Sequence, residues 1–352
     1  MDAKALEAAV SRVVVSALGS APDRLQSLIG GRHRNAAGAE LVPEVAAALR
    51  LLNLMPDSDF SNLPLDEARR QLDDEAGLFG GEPLPMARVR DLAIPAPHGE
   101  IPARLYVADE ADASRLLVWF HGGGWVLGSL ESADSVARFL ARHSGVSVLS
   151  VDYRLAPEHP FPAAVDDART AFEYAVSQAA EWGHDPARIA VGGDSAGGNM
   201  AAVLCQDLRG AATVPAFQLL FFPVTDLSAQ SNSYREFADG FFLTAKQMDW
   251  YAAHYVGDAD RVDPRVSPLL ADDVSGLPPA YVAVAGFDPL RDEGEAYARR
   301  LAEAGGQVAL RRHDGLIHAF VNATGVGHAS REATLEACGA LRLGVGAGVR
   351  RS

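Results

Sequence analysis

Cysteine is scarce in this chain, and basic residues are outnumbered by acidic ones. The 352 residues include two cysteines, Cys205 and Cys338, each within a stretch that has a helical pattern. We expect two buried, reduced thiols, because the spacing indicates neither a disulfide framework nor a zinc knuckle. Lysine and arginine together number 31 against 46 aspartates and glutamates, a net charge of −15. This balance disfavours nucleic acid and anionic membrane surfaces as partners.

Long hydrophobic runs are absent as well. No apolar stretch approaches the ~18 residues that indicate a transmembrane helix. Three valines at residues 13–15 precede a run of small residues, but Asp2 and Glu7 come before them and the apolar segment is short. We interpret this stretch as an amphipathic helix rather than a signal peptide. The sequence therefore predicts a cytoplasmic protein without stable membrane insertion.

Strands and helices alternate along most of the chain. Helical apolar spacing over residues 1–80 gives way to a β-rich hairpin at 87–107. Continuous apolar strands separated by helices follow, at residues 116–120, 146–151, 188–193, 216–221, 281–285 and 307–312. Unbroken apolar runs are typical of strands buried on both faces. The alternation predicts an α/β fold with a mostly parallel central sheet and helices on both sides.

The alternation lapses between residues 226 and 276. This stretch is rich in aromatic residues and contains a helix that begins at Thr244, with Gln247 at capping-box spacing. An insertion between two core strands predicts a helical cap over the site. We expect the N-terminal helices of 1–80 to contribute to this cap, and 81–225 together with 277–352 to form the catalytic domain.

The strongest chemical signal is the pentapeptide Gly193-Asp194-Ser195-Ala196-Gly197, which lies between a predicted strand and a predicted helix. A strand that turns sharply into a helix leaves its serine exposed in a strained conformation, so side chains on either side would clash and glycine is required. The start of the helix also offers unpaired N–H groups and a positive dipole end to negative charge. Ser195 is therefore the predicted nucleophile.

A second signal, His121-Gly122-Gly123-Gly124-Trp125, follows the strand at 116–120 directly. A glycine run lets backbone N–H groups approach a substrate carbonyl and stabilise the oxyanion of a tetrahedral intermediate. A phosphate-binding loop is the alternative. It is disfavoured because neither the Walker pattern nor the dinucleotide pattern is present here.

A hydrolase triad needs an acid and a histidine after the serine, in that order. Asp288 follows the strand at 281–285, and His318 lies after the last predicted strand and before the final helix. In this interpretation, His318 takes the serine proton as general base and later protonates the leaving group. Asp288 orients the imidazole and stabilises its charged form.

Other acidic and imidazole side chains lie near these positions. Asp292 and Glu293 fall where they would cap the next helix, predicted from about residue 293, and Asp226 follows an earlier strand. His313 abuts the last predicted strand, so we favour His318. The sequence contains no compact metal-ligand spacing, and no metal is predicted.

Together these motifs resemble the hormone-sensitive-lipase-like branch of the α/β-hydrolases, the bacterial esterases of lipolytic family IV, from about residue 40 to the C-terminus. The resemblance also includes Tyr153-Arg154-Leu155-Ala156-Pro157-Glu158, Gly198-Asn199, Asp288-Pro289-Leu290-Arg291-Asp292-Glu293-Gly294 and Ile317-His318-Ala319-Phe320. It implies that Ser195, Asp288 and His318 form the triad. It also implies an oxyanion hole made by the N–H groups of Gly123, Gly124 and Ala196, with the loop supported by His121, Gly122 and Trp125.

The same resemblance implies a carboxylesterase that acts on short to medium acyl esters through an acyl-enzyme, needs no cofactor and can form a homodimer. Asp194 is typical of the subgroup with aspartate before the nucleophile. Two features depart from the family: Ala319 stands where glycine is common, and the first 40 or so residues exceed the usual start. This extension would either enlarge the cap or mediate dimerisation.

Several functions share this machinery. A lactonase, an amidase or a carbamate hydrolase is compatible with the same residues, and only a substrate panel separates them. A non-catalytic small-molecule receptor on a hydrolase scaffold is disfavoured because such proteins typically lose a triad member, whereas Ser195, Asp288 and His318 are all present. A true lipase is disfavoured because the cap segment has no long apolar lid.

Overall fold

An eight-stranded sheet forms the centre of the computed structural model, which describes residues 17, 19–54, 59–108 and 114–346. Its strands are β1 (Arg88–Ala96), β2 (Gly99–Val107), β3 (Leu116–Phe120), β4 (Ser147–Val151), β5 (Ile189–Asp194), β6 (Gln218–Phe221), β7 (Ala280–Phe287) and β8 (Val308–Ile317). The strand order is β1-β2-β4-β3-β5-β6-β7-β8. β2 is antiparallel to β1 and β4, and all other pairs are parallel. The predicted α/β class with a mostly parallel sheet is confirmed. The valine segment at 13–15 lies outside the described residues.

Helices cover both faces of the sheet. They are α1 (Asp23–Gly30), α2 (Pro43–Leu52), α3 (Leu65–Phe79), α4 (Leu130–Ser144), α5 (Ala163–Trp182), α6 (Ala196–Asp207), α7 (Asn232–Glu236), α8 (Ala245–Tyr255), α9 (Arg291–Glu303) and α10 (Ala329–Gly344). Successive side chains of β3 alternate between two buried clusters, because a strand directs neighbouring side chains to opposite faces. Leu117 and Trp119 pack with α4 and α10, whereas Val118 and Phe120 pack with α5, α6 and α9.

β8 is longer than the sequence pattern predicts. The apolar run suggested an end at residue 312, but the strand continues to Ile317 and pairs with β7 across an irregularity between Ala285 and Phe287. As an edge strand it exposes many of its side chains, so polar residues such as Arg312 and Asp314 occupy it without cost. His313 consequently lies within the strand, and His318 follows its last residue.

The predicted capping box of α8 is present. Thr244 Oγ1 accepts a hydrogen bond from the Gln247 N–H at 3.1 Å, and Gln247 Oε1 accepts one from the Thr244 N–H at 3.0 Å. Met248, Tyr251 and Tyr255 lie on one buried face of this helix. The helix therefore packs onto the rest of the fold through the face that its apolar spacing indicates.

Both cysteines are buried and free, Cys205 in α6 and Cys338 in α10, as predicted. Across the described ranges, none of the helices combines the length and the apolar character needed to cross a bilayer.

Candidate active site

Ser195 lies at the tight turn between β5 and α6. Its backbone has φ 55° and ψ −114°, a conformation that non-glycine residues rarely adopt and that stores strain. A Cβ on Gly193 would overlap the backbone of Gly197, and a Cβ on Gly197 would overlap the carbonyl of Phe120. The two glycines of the pentapeptide are therefore required by close backbone packing around the serine.

Ser195, His318 and Asp288 form one hydrogen-bonded chain. His318 Nε2 lies 3.0 Å from Ser195 Oγ, and His318 Nδ1 lies 2.9 Å from Asp288 Oδ2. The second Asp288 oxygen accepts a hydrogen bond from the Leu290 N–H at 2.9 Å, which fixes the carboxylate. All three triad side chains are buried, with at most 8% of each residue exposed. The first distance is within the range for proton transfer between a nucleophile and its base, and the second is that of a hydrogen bond that orients the imidazole.

The topology explains why residues so distant in sequence meet. Ser195 follows β5, Asp288 follows β7 and His318 follows β8, and the carboxyl ends of these parallel strands lie at one edge of the sheet. Ala319, next to the histidine, has a φ of 65°. A left-handed conformation at this position accounts for the glycine that is common there in the resembling family.

The glycine-rich loop after β3 lines the same cavity as Ser195. Gly123 has a φ of 107° and Gly124 a φ of 60°, and a Cβ on Gly123 would overlap the carbonyl of Leu127. Ala196 is the first residue of α6, and the first N–H groups of a helix have no acceptor within the helix. The loop and the helix start thus bring potential oxyanion donors to the nucleophile.

Asp194 connects this loop to the nucleophile turn and to the histidine segment. One of its carboxylate oxygens accepts a hydrogen bond from the Gly122 N–H at 2.9 Å, and the other accepts one from Asn322 Nδ2 at 3.1 Å. Burial raises the pKa of Asp194, while the hydrogen bond from Asn322 acts in the opposite direction. The sequence motif marked Asp194 only as a subgroup feature, and nothing in the local pattern indicated Asn322.

His121 supports the loop from beneath. Its ring stacks on Tyr153 with centroids 4.3 Å apart, and its Nδ1 lies 2.7 Å from the Gly122 carbonyl oxygen. The Tyr153 hydroxyl donates a hydrogen bond to the His121 carbonyl at 2.8 Å. Burial lowers the pKa of His121 to about 4, so this imidazole is neutral near pH 7.

Helix α8 packs against the same loop. Trp125 stacks on Tyr255 with centroids 4.1 Å apart and planes inclined by 4°. The ring of Tyr251 lies against Gly124, where it would overlap an added Cβ. Two aromatic side chains of α8 therefore pack against the loop that carries the candidate oxyanion donors.

Asp292 and Glu293 lie in the first turn of the following helix, as predicted, but the prediction that they cap it is wrong. That helix, α9, begins at Arg291, two residues earlier than expected, and no side chain caps it. Asp292 accepts a hydrogen bond from the Ser233 N–H at 2.9 Å. Glu293 is buried and accepts hydrogen bonds from the N–H groups of Thr225 at 2.7 Å and Asp226 at 3.2 Å. Burial raises the pKa of Glu293 to about 8.

The remaining alternatives do not reach Ser195. Asp226 accepts hydrogen bonds from Ser228 in its own turn. His313 packs against Phe320 with centroids 5.2 Å apart, and burial lowers its pKa. Within the described residues, no three His, Cys, Asp or Glu side chains are grouped so that they could hold a metal ion.

A cavity of about 180 Å³ lies beside Ser195 and His318. Its walls are mostly apolar and come from α2, α3, α8 and the glycine-rich loop. The residues from these helices are Glu44, Val45, Ala48, Leu49, Leu52, Leu72, Glu75, Ala76, Phe79, Gln247, Met248 and Tyr251. Residues of α2, α3 and α8 thus line one cavity together with Ser195 and His318.

Comparisons with known proteins extend over most of the chain. A family model described as the alpha/beta hydrolase fold matches residues 117–322. LipN, a carboxylic ester hydrolase of Mycobacterium tuberculosis, is 51% identical over 262 residues, which cover 72% of this chain and 70% of that protein. An ethyl acetate hydrolase of Pseudomonas putida is 39% identical over 292 residues, which cover 80% of this chain and 92% of that protein. The structure of an ester hydrolase from the metagenome of Lake Arreo, in complex with a bipyridine phosphonate derivative, has a TM-score of 0.82 at 44% identity and covers 87% of this chain and 99% of that chain.

Proposed function

Because the chain belongs to the hormone-sensitive-lipase-like branch of the α/β-hydrolase family, we propose that Ser195, His318 and Asp288 are the catalytic triad of a carboxylesterase. The protein is a serine hydrolase of the carboxylic ester type, and the relatives named above are ester hydrolases. The observation that carries the assignment of residues is the 3.0 Å separation of Ser195 Oγ and His318 Nε2.

The proposed reaction proceeds through an acyl-enzyme. His318 takes the proton of Ser195 while the serine oxygen attacks the ester carbonyl, and Asp288 stabilises the imidazolium that forms. The N–H groups of Gly123, Gly124 and Ala196 stabilise the oxyanion. His318 then protonates the leaving alcohol. Water, activated by the same imidazole, attacks the acyl-enzyme and releases the acid.

The substrate class and the domain division belong to the same proposal. A mostly apolar cavity of about 180 Å³ supports short to medium acyl chains. Residues of α2, α3 and α8 line one cavity, and this supports the proposal of a cap made from the N-terminal helices and the segment 226–276. The catalytic domain below this cap would consist of 81–225 and 277–352. The homodimer and the cytoplasmic location stay predictions.

We expect Ser195→Ala to lower the hydrolysis of a short-chain p-nitrophenyl ester by roughly four orders of magnitude or more, because the nucleophile is lost. The thermal melting temperature should change little, since the substitution removes one oxygen from a strained turn. Labelling by a fluorophosphonate probe should be lost as well.

Ser177→Ala serves as the matched control, because Ser177 is exposed on α5 and outside the cavity. It should keep both turnover and labelling. Undiminished turnover in the Ser195 variant would overturn the assignment, whatever the control shows.

A further inference from the structure

Glu75 is the one polar residue among those that α3 contributes to the lining of the cavity beside Ser195. The side chains of α3 that line the cavity are Leu72, Glu75, Ala76 and Phe79. Their spacing of three and four residues places them on one helix face. A buried helix face normally carries apolar residues at such positions, so a carboxyl group here requires a specific explanation.

The Glu75 carboxyl group is hydrogen-bonded by a neutral side chain and has no cationic partner among the described residues. Its Oε1 accepts a hydrogen bond from Gln71 Nε2, one helical turn earlier, at 2.9 Å. In the part of the chain that the structure describes, no arginine or lysine is among the groups that act on its pKa, which are Gln71 and Asp74. Burial raises the pKa of Glu75, the expected result for a carboxyl group that lacks a cationic partner.

The other two acidic residues that line the cavity accept hydrogen bonds from backbone N–H groups or from an asparagine side chain. Glu44 accepts hydrogen bonds from the N–H groups of His328 and Ala329 at the start of α10. Asp194 is bound to Gly122 and Asn322. Among the described residues that line the cavity, none is a lysine or an arginine. Glu75 is therefore the acidic residue of this cavity whose hydrogen bond comes from a neutral side chain of its own helix and not from the loop or from a backbone N–H group.

Glu75 also acts electrostatically on Tyr251, a residue that contacts the candidate oxyanion loop. Together with burial and Asp59, its charge raises the pKa of Tyr251, the cap residue whose ring packs against Gly124. Glu75 and Ser195 line the same mostly apolar cavity, where charges are screened less than in water.

We propose that Glu75 determines substrate specificity by pairing with a protonated amine carried by the ester, so that the cavity takes amino esters alongside purely hydrocarbon ones. The inference rests on the proposed esterase function and names a substrate class for the same site. An ammonium group would supply the cationic partner that Glu75 lacks, and the apolar walls would hold the carbon chain that links it to the ester.

The test uses pairs of esters that differ in one atom. Dimethylaminobutyl acetate is compared with the hydrocarbon ester in which a CH group replaces the protonated nitrogen. Ethyl dimethylaminopentanoate is compared with its own hydrocarbon isostere. One pair carries the charge on the alcohol side and the other on the acyl side. The measured quantity is the ratio of kcat/KM for the cationic ester to that for its isostere, corrected for the rates of uncatalysed hydrolysis.

In the wild-type enzyme, at least one pair should show a ratio of one or more. Glu75→Gln, which keeps the size and removes the charge, should lower that ratio about tenfold or more. Glu75→Leu should lower it further. Glu67→Gln is the matched control, because Glu67 is exposed on the same helix and outside the cavity, and it should leave the ratio unchanged.

The outcomes separate this inference from the proposed function. A wild-type enzyme that prefers the hydrocarbon ester about tenfold in both pairs overturns the role of Glu75, even if no variant folds. A ratio in Glu75→Gln that lies within about twofold of the wild-type ratio also overturns it. Hydrolysis of the hydrocarbon esters would in that case still support the proposed esterase function. If the wild-type enzyme hydrolyses none of the four esters, the proposed function fails first.

Discussion

At the scale of single residues, the candidate site depends on glycines whose surroundings leave no room for a Cβ atom. Gly124 combines a φ of 60° with the ring of Tyr251 against its Cα. Ser195 adopts a positive φ despite its side chain, because the neighbouring glycines let three backbone segments meet there. Conformational strain and close contact thus coincide at the two positions that the proposed reaction needs most.

Gly124→Ala should lower kcat by about two to three orders of magnitude, comparable with the loss of an oxyanion donor. The new methyl group would overlap the Tyr251 ring, and alanine is strained at this φ, so the loop must shift. Steady-state kinetics with a short-chain ester would measure the effect, and KM should change less than kcat.

Gly210→Ala separates strain from contact in that experiment. Gly210 has a φ of 77°, but no heavy atom lies within 4 Å of an added Cβ. This variant should lose some stability and keep its kcat. Equal kcat values for the two variants would contradict the role of the loop.

At the scale of elements, Glu293 joins α9 to the segment that follows β6. Its carboxyl group accepts hydrogen bonds from two consecutive backbone N–H groups, of Thr225 and Asp226, which would otherwise be left unpaired inside the protein. Burial is the largest cause of its raised pKa of about 8, and the charges of Asp226 and Asp288 add to it. The native state therefore holds a proton here that the unfolded chain releases near its ordinary pKa of 4.5.

The sign of the resulting pH dependence follows from proton binding. Between about pH 4.5 and 8 the native state binds more protons at Glu293 than the unfolded state, so this residue lowers the free energy of unfolding as pH rises, by roughly 1.4 kcal/mol per unit. Glu293→Gln keeps an acceptor oxygen and cannot ionise. The variant should therefore gain stability relative to the wild type with rising pH.

Urea unfolding at several pH values across this window would measure the difference. Glu303→Gln, an exposed position at the end of the same helix, provides the control and should run parallel to the wild type. If the curves of Glu293→Gln and the wild type are also parallel, Glu293 is ionised in the folded protein.

At the scale of the whole molecule, local patterns predicted the elements that are buried on both faces, and missed contacts between distant segments. The β3 and β5 strands were recognisable because their apolar runs are unbroken, and Ser195 because its glycines are local in sequence. The last five residues of β8, 313–317, were missed because an edge strand tolerates polar side chains. Asn322 was missed because its partner, Asp194, lies 128 positions away and the pairing depends on how the strands close.

The cavity between the cap elements and the sheet leads to a prediction about chain length. Because the cavity measures about 180 Å³ and is bounded by α2, α3 and α8, kcat/KM for p-nitrophenyl esters should be highest for short to medium acyl chains and fall for long ones. A series from acetate to palmitate would measure this dependence. Higher kcat/KM for palmitate than for butyrate would contradict it, and amide and lactone analogues in the same series would test the related chemistries.

The stacking of α8 on the glycine-rich loop has a consequence for redesign. The cap of one relative can be exchanged for that of another in order to give an existing catalytic domain a new substrate preference. Here Tyr251 and Tyr255 bear directly on Gly124 and Trp125, so a transplanted cap would also alter the rate of bond cleavage. A working chimera must therefore inherit the aromatic pair and its loop as one unit.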